Sequence, residues 1–135
     1  MQKQLIKWYQ ENKRDFPWRK DQDPYHIWIS EIMLQQTTTE TVIPYYNRFL
    51  KNFPNVEALA SASLEEVYKM WEGLGYYRRA KHIHESAQII LEKYQGVFPY
   101  EYDAILSLKG IGEYTAGAIS SIAYGKQVPA VDGNV

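Results

Sequence analysis

The stretch "LKGIGEYTAGAI", residues 108–119, decides the fold, because it places two glycines around one isoleucine and then becomes a helix of small residues. Gly110 and Gly112 predict a tight bend, since glycine adopts backbone angles closed to other residues. The bend and the positive end of the following helix together predict an anion site that fits a nucleic-acid phosphate. The carbonyl groups of such a bend can hold a monovalent cation beside the phosphate. Gly-x-Gly alone is more often an ordinary joint between helices, so the surrounding sequence decides.

The rest of the chain is predicted to be helices without a convincing strand. Asp23 followed by Pro24 supplies an N-cap and a first-turn proline for a helix that runs to residue 36. The segments "TTTE" and "SLEE" each predict a capping box, with Thr37 and Ser63 as the caps. About seven helices are predicted in all, the others covering 1–14, 38–51, 64–72, 78–94, 101–107 and 113–124.

Composition limits the function classes. With 135 residues, 45% of them hydrophobic, the chain is expected to form one compact domain. Its net charge of −1 gives no overall attraction to nucleic acid or an anionic membrane, so any such binding must come from a local patch. No apolar run reaches the roughly 20 residues of a membrane span, and "MQKQLIKWYQ" lacks the core of a secretion signal, so a cytoplasmic protein is expected. The absence of cysteine excludes disulfides and thiolate metal sites within this sequence.

The segment "YYRRAKHIH", residues 76–84, combines two tyrosines with five basic side chains at the start of a helix. The positive charge suits a nucleic-acid backbone. Tyr76 or Tyr77 can replace a displaced base, because bases stack favourably on aromatic rings. A solvated charged face with two core tyrosines explains the same residues equally well.

Two carboxylates are candidates for chemistry. Glu31 lies within "YHIWISEIMLQQ", where its helical neighbours Ile27, Trp28 and Leu34 are apolar. Desolvation on such a face raises the pKa of a carboxyl and keeps a proton available for general-acid chemistry. A glutamate at the helix edge with its head in water is the alternative. Asp132, in "VPAVDGNV", is by default a turn or cap residue.

Four segments together resemble the A/G-specific adenine DNA glycosylases, the MutY family of base excision repair. They are "FPWRKDQDPYHIWISEIMLQQTTTETVIPYY", "MWEGLGYYRRAKHIH", "LKGIGEYTAGAISSIAYG" and "AVDGNV", in the family's order between Phe16 and Val135. The resemblance implies an all-α, helix-hairpin-helix glycosylase fold, a six-helix barrel with an N-terminal helix. The implied parts are the N-terminal helix over 1–14, the barrel over 23–125, the hairpin over 108–119 and a catalytic aspartate loop over 126–135.

The resemblance implies a role for each carboxylate. Glu31 would protonate the adenine base and make it a better leaving group, and Asp132 would stabilise the cationic sugar that develops at C1′. Tyr114 and Asn134 match positions that orient this aspartate. Endonuclease III-type relatives have a lysine at position 114, whose amine forms a Schiff base, so the tyrosine implies a monofunctional glycosylase. A bifunctional glycosylase/lyase is the alternative.

Further positions match the family's substrate and DNA contacts. The residues matching the pocket for the extruded adenine are Trp18, Arg19 and Leu34. Those matching residues inserted near the estranged 8-oxoguanine are Gln36, Thr37 and Tyr76. Contacts to the DNA strand are expected from Arg78, Arg79, Lys109, Gly110, Gly112 and Thr115. The implied partner is double-stranded DNA with adenine opposite 8-oxoguanine or guanine, in a bacterial-type nucleoid.

The family continues beyond "DGNV" with further helices, four cysteines that hold a [4Fe–4S] cluster, and usually a C-terminal domain. The sequence is therefore expected to be an N-terminal piece, truncated after Asp132, with no cofactor of its own and no metal held by side chains. Fraying near this end and self-association through surface exposed by the truncation are expected. Two other hypotheses stay open: a module that binds DNA through the hairpin without completing catalysis, and a helical scaffold with no nucleic-acid role.

Overall fold

The computed structural model describes residue 17, residues 21–35 and residues 37–126. The helices of this part are α1 (Pro24–Leu34), α2 (Thr39–Asn52), α3 (Val56–Ser61), α4 (Leu64–Trp71), α5 (Tyr77–Tyr94), α6 (Tyr102–Leu106) and α7 (Glu113–Tyr124). None of the described residues forms a β-strand, so the predicted all-α class is confirmed. The predicted helix over 1–14 and the loop after residue 126 lie outside the described residues.

Two helix starts follow the capping signals in the sequence. The Asp23 side chain accepts the Tyr25 N–H at 2.8 Å, and Pro24 occupies the first position of α1. At α4, the Ser63 hydroxyl accepts the Glu66 N–H at 3.1 Å, while the Glu66 carboxylate accepts the Ser63 N–H at 2.9 Å. Both predictions are confirmed, because each cap satisfies N–H groups that have no partner inside the helix.

The start of α2 differs from the prediction. Thr38, and not Thr37, is the N-cap, and its hydroxyl accepts the Thr41 N–H at 3.4 Å. The Thr37 hydroxyl donates to the Gln35 carbonyl at 3.4 Å. The predicted capping box at Thr37 is therefore wrong. Three consecutive threonines offer the same capping group, so the preceding turn decides which of them is used.

Helix α3 is an element that the sequence analysis missed. The Asn55 side chain caps it by accepting the Ala58 N–H at 2.8 Å. Val56 and Leu59 are buried, and the helix packs against α5. A helix of six residues has too few apolar positions to show a 3.6-residue period, so Asn55 was the only signal for it.

Helix α1 is central to the core. Its residues Ile27, Trp28, Ile29, Ile32 and Met33 are at most 3% exposed, so the helix is buried on nearly every side. Helices α2 and α7 pack against α1, α5 packs against α3 and α4, and α6 packs against α7. Burial of each large apolar side chain contributes about 1.5–3 kcal/mol, which makes α1 a rigid support for a functional group.

The bend between α6 and α7 is anchored by apolar side chains. Leu108 and Ile111 are buried, and the Ile111 N–H donates to the Leu108 carbonyl at 3.4 Å. Gly110 has a φ of +75°, in the left-handed region, as predicted. Gly112 has a φ of −93° and a ψ of −178°, an extended conformation that any residue adopts. The prediction of a special backbone angle is therefore wrong at Gly112.

Helix α5 holds this bend from one side. A Cβ added to Gly110 would lie 2.9 Å from Nδ1 of the His82 ring, while a Cβ added to Gly112 would have nothing within 4 Å. Further along α5, the Ser86 hydroxyl donates to the Lys109 carbonyl at 3.2 Å. The two glycines of the bend thus have different constraints, and only Gly110 is fixed by both space and backbone angle.

We expect Gly110→Ala to lower the free energy of unfolding by about 1–3 kcal/mol, because alanine is strained at this φ and its methyl group meets His82. Gly112→Ala is the matched control in the same bend, and its expected change is below about 0.5 kcal/mol. Urea unfolding followed by circular dichroism measures both variants. Equal losses of unfolding free energy in the two variants would show that the restricted space and the backbone angle at Gly110 do not stabilise the hairpin.

Candidate active site and nucleic-acid interface

A cleft of about 590 Å³ opens where α1 meets the start of α7. The residues that line it are Glu31, Leu34, Gln35, Gly112, Glu113, Tyr114 and Thr115. The walls of the cleft therefore come from two segments that are far apart in the sequence. One is the second half of α1, and the other is the hairpin with the first turn of α7. The cleft brings the predicted acid, one predicted residue of the adenine pocket and the predicted phosphate-binding bend together.

Glu31 reaches this cleft from the middle of α1. Its side chain is half-buried, whereas Ile27 and Trp28, one turn earlier, are fully buried. The partial burial expected from the apolar neighbours is confirmed, while the role as an acid stays a prediction. A carboxylate on a helix packed this tightly is held in one place, which general-acid chemistry requires.

The first turn of α7 forms the facing wall. Tyr114 is 68% exposed, so its ring and hydroxyl are available to a bound molecule. Among the described residues, no side chain caps the helix at Gly112, although the first N–H groups of a helix have no partner within it. Glu113 is exposed in the same wall, and the sequence analysis missed it. The only sequence signal for Glu113 was that it is acidic and lies in the first turn of a predicted helix.

Thr115 is mostly buried at the edge of the cleft. It is 4% exposed, and its hydroxyl accepts a hydrogen bond from Nε2 of Gln35 at 3.4 Å. The hydroxyl thus ties α7 to the end of α1, and the predicted DNA contact by Thr115 stays a prediction. The sequence analysis did not select Gln35 as a site residue. Its position four residues after Glu31, on the same helical face, was the signal for it.

A second cavity, of about 480 Å³, shares Gln35 with the first and is otherwise lined by Tyr76, Tyr77, Arg78 and Arg79. Tyr76 is 59% exposed and has a φ of 55° and a ψ of 56°. This left-handed conformation costs a non-glycine residue about 1–3 kcal/mol and is found where the surrounding structure enforces it, often at ligand sites. The ring is therefore presented to solvent beside the end of α1.

The basic side chains near Tyr76 have different environments. Arg78 and Lys81 are exposed, as a contact with DNA requires. His84 is buried, and its Nε2 lies 2.7 Å from the Ala62 carbonyl. The predicted basic face therefore does not include His84, which belongs to the core.

Arg79 points inward. Its Nη1 donates to the Ile32 carbonyl at 2.7 Å and to the Gln35 carbonyl, and its guanidinium lies over the Tyr76 ring. Burial lowers the pKa of Arg79 from its ordinary value, and arginine stays charged because that value lies so far above neutrality. The guanidinium therefore binds the end of α1 while it also lines the cavity beside Tyr76, and its predicted DNA contact stays a prediction.

The other predicted residues divide into two groups. Thr37 is half-buried and Lys109 is exposed. The residues that lie outside the described part of the chain are Trp18, Arg19, Gln36, Asp132 and Asn134.

Two buried phenols lie away from the cleft, between α1 and α2. Burial raises the pKa of Tyr25 and of Tyr46 above the ordinary value of a phenol. The Tyr25 hydroxyl donates to the Phe53 carbonyl at 2.6 Å, at the end of α2. This contact gives Tyr25 a structural role, so its raised pKa does not mark a functional site.

The described residues contain no group of three or more His, Cys, Asp or Glu side chains arranged to hold a metal ion. None of the helices from α1 to α7 combines enough length with enough apolar character to cross a bilayer. The sequence has no cysteine, so its side chains do not fit the thiolate ligand set of a [4Fe–4S] cluster.

Known proteins have similar sequences. Residues 29–135 match the family described as HhH-GPD superfamily base excision DNA repair protein. An adenine DNA glycosylase of Buchnera aphidicola subsp. Acyrthosiphon pisum (strain APS) is 49% identical over 132 residues, which cover 97% of this chain and 38% of that protein. An adenine DNA glycosylase of Homo sapiens is 46% identical over 140 residues, or 97% of this chain and 26% of that protein. The chain thus spans less than half the length of these curated relatives.

Solved structures share the fold. A thermostable thymine-DNA glycosylase matches with a TM-score of 0.82 at 34% identity, over 92% of this chain and 58% of that one. A non-covalent endonuclease III–DNA complex matches with a TM-score of 0.75 at 25% identity, over 98% of this chain and 64% of the enzyme. The helix-hairpin-helix glycosylase fold is therefore confirmed. The family match and the shared fold establish that the chain belongs to the HhH-GPD superfamily of base excision DNA repair proteins.

Proposed function

We propose that the protein is a DNA glycosylase of base excision repair that removes adenine paired with 8-oxoguanine or guanine. The observation that carries the proposal is the cleft, which holds Glu31 on a buried helix beside the hairpin and Tyr114. Relatives at 49% and 46% identity, both named adenine DNA glycosylase, support adenine as the excised base. The DNA complex of endonuclease III, which has the same fold, supports DNA as the partner.

Glu31 acts as the general acid. An adenine turned out of the duplex enters the cleft, because the N-glycosidic bond of a stacked base is out of reach. The carboxyl group transfers its proton to the base, so that the electrons of the breaking bond move onto the protonated base and it leaves as neutral adenine. Leu34 lines the same cleft and gives the base an apolar contact. The roles of Trp18 and Arg19 at the base rest on the family resemblance.

Asp132 stabilises the positive charge that develops at C1′, and Tyr114 and Asn134 orient its carboxylate. The chain length allows this arrangement. Helix α7 has 12 residues and is about 18 Å long at 1.5 Å per residue. Gly125 and Lys126 turn back at the end of the helix, since the Lys126 N–H donates to the Ser120 carbonyl at 3.1 Å. The six residues from there to Asp132 reach about 20 Å when extended. The aspartate can therefore return to the cleft at the start of α7.

The reaction stops at base release. A lyase needs an amine at position 114 to attack the sugar and form a Schiff base. The phenol of Tyr114 cannot form one, so hydrolysis leaves an intact abasic strand. A bifunctional glycosylase/lyase is the alternative within the superfamily.

The hairpin binds the DNA backbone. Gly112 has no side chain and nothing within 4 Å of the place where a Cβ would lie, so a phosphate can approach the uncapped first turn of α7. Carbonyl groups of the bend hold a monovalent cation beside this phosphate. Lys109 and Arg78 are exposed and supply positive charge, which makes binding weaken as salt concentration rises.

The Tyr76 ring enters the duplex at the lesion pair. Its exposure, next to the cavity that borders Gln35, suits stacking against the bases that an extruded nucleotide leaves behind. Contacts of Gln36 and Thr37 with the estranged 8-oxoguanine rest on the family resemblance.

We expect Glu31→Gln to slow adenine release by at least about 100-fold and to change DNA affinity by less than about threefold, because an amide cannot deliver the proton. A single-turnover assay on duplex DNA with adenine opposite 8-oxoguanine measures the rate, and fluorescence anisotropy measures the affinity. Glu57→Gln is the control, since it removes the same charge from an exposed position on α3.

Near-normal release by the Glu31 variant would contradict the assignment of the acid. If the unmodified chain binds the duplex in a salt-dependent way but releases no adenine, the chain is a DNA-binding module. That hypothesis draws its support from the coverage of only 38% of the length of a relative. A covalent adduct trapped by borohydride would instead identify a lyase.

We expect Tyr76→Ala to weaken binding to the lesion duplex by roughly tenfold, because one stacked aromatic contributes about 1–3 kcal/mol. The single-turnover rate of the saturated complex should fall less than the affinity. Tyr100→Ala is the control, since Tyr100 is a similarly exposed tyrosine outside both cavities. Unchanged affinity of the Tyr76 variant for lesion DNA would remove the role of the ring.

A further inference from the structure

We infer that Arg79 is a positioning residue that couples the end of the helix bearing Glu31 to the loop bearing Tyr76. The functional consequence rests on the proposed function, whereas the coupling itself rests on contacts within the chain. One guanidinium contacts both elements at once.

The first contact is with the end of α1. This helix has no basic residue in its last turn, and the Gln35 N–H donates to the Ile32 carbonyl at 3.3 Å. Arg79 comes from a different helix and bonds to the carbonyls of both Ile32 and Gln35. A cation at this end complements the helix dipole and satisfies terminal carbonyls. Because Ile32 directly follows Glu31, these bonds fix the turn that carries the carboxylate.

The second contact is with the Tyr76 loop. The central carbon of the Arg79 guanidinium lies 4.8 Å from the centroid of the Tyr76 ring and 6.0 Å from that of Trp71. Below the ring, the Arg79 N–H donates to the Tyr76 carbonyl at 2.9 Å, and Nε1 of Trp71 donates to the Gly75 carbonyl at 2.9 Å. The cation–π contact therefore supports a ring whose backbone is strained.

Arginine suits this place better than another cation. Its Nη1 reaches two carbonyls while its plane faces the rings, and a lysine ammonium has no plane to stack. Nε and Nη2 are buried and have no hydrogen-bond partner within the described part of the chain. Their desolvation is unfavourable, so the Nη1 bonds and the ring contacts must offset it. Arg79→Lys therefore keeps the charge and removes the coupling.

The first test uses the free protein. Hydrogen exchange followed by mass spectrometry should show faster exchange in Arg79→Lys at two segments, residues 33–35 and residues 74–77. Faster exchange at only one segment, or at neither, overturns the coupling. Thermal denaturation of the same samples establishes that the variant is folded, and a global rise in exchange across all helices also counts against the inference.

Arg48→Lys is the matched control. Nη2 of Arg48 donates to the Met70 carbonyl at 3.2 Å, and its guanidinium lies 5.3 Å from the Tyr45 ring centroid. It therefore has the same two kinds of contact as Arg79, but it is exposed and lines neither cavity. Its replacement should leave exchange at residues 33–35 and 74–77 unchanged.

The second test is a double-mutant cycle on duplex DNA with adenine opposite 8-oxoguanine. Arg79→Lys should weaken binding and slow single-turnover release by roughly tenfold each, and its effect on binding should disappear in the Tyr76→Ala background. If the two substitutions act independently, so that their fold-changes in binding multiply in the double variant, the inference is overturned. An arginine with only a structural role would act independently of the Tyr76 ring. If the exchange pattern appears but no adenine is released by the unmodified chain, the proposed function fails while the coupling stands.

Discussion

The packing of α1 against α7 is the contact on which the rest of the structure depends. Helix α1 is surrounded by the core, and the hairpin delivers the uncapped start of α7 to its side. The hydrogen bond between Gln35 and Thr115 joins the two helices next to the cleft. A carboxylate and the positive end of a helix dipole are thereby held near each other by the core itself.

The two cavities of this surface meet at the end of α1, and their common wall is Gln35. An extruded base and the gap that it leaves in a duplex are also adjacent, because both belong to one nucleotide position. One cavity offers a carboxylate on a buried helix and the other offers an exposed aromatic ring. A surface with this arrangement suits a protein that holds an extruded base in one cavity while an aromatic ring beside the other cavity fills the gap in the duplex.

The sequence specified the helix type and several boundaries because these depend on neighbouring residues. Asp23 and Ser63 act on N–H groups within three residues of themselves, and the bend at Gly110 needs only its own backbone angle. The direction of a side chain depends on distant packing. Arg79 and Thr115 look like surface residues in the sequence, yet each bonds to the end of α1.

The difference between features set by neighbouring residues and features set by distant packing also applies to the candidate site. The position of Glu31 among apolar neighbours indicated a half-buried carboxylate, since the relevant residues lie one turn away. The role of Gln35 in both cavities required knowing that α7 and α5 meet the same end of one helix. Helix α3 was missed because six residues are too few for a period to emerge. Asp132 lies outside the described residues, so its approach to Glu31 stays a prediction from the family resemblance, which the length of the chain permits.

The left-handed backbone of Tyr76 has a consequence for protein engineering. Glycine or asparagine would adopt this conformation at lower cost, so a change to either would relax the loop. Under the proposed function, the same change would remove the ring that enters the duplex. Libraries screened only for heat tolerance would therefore discard the aromatic side chain.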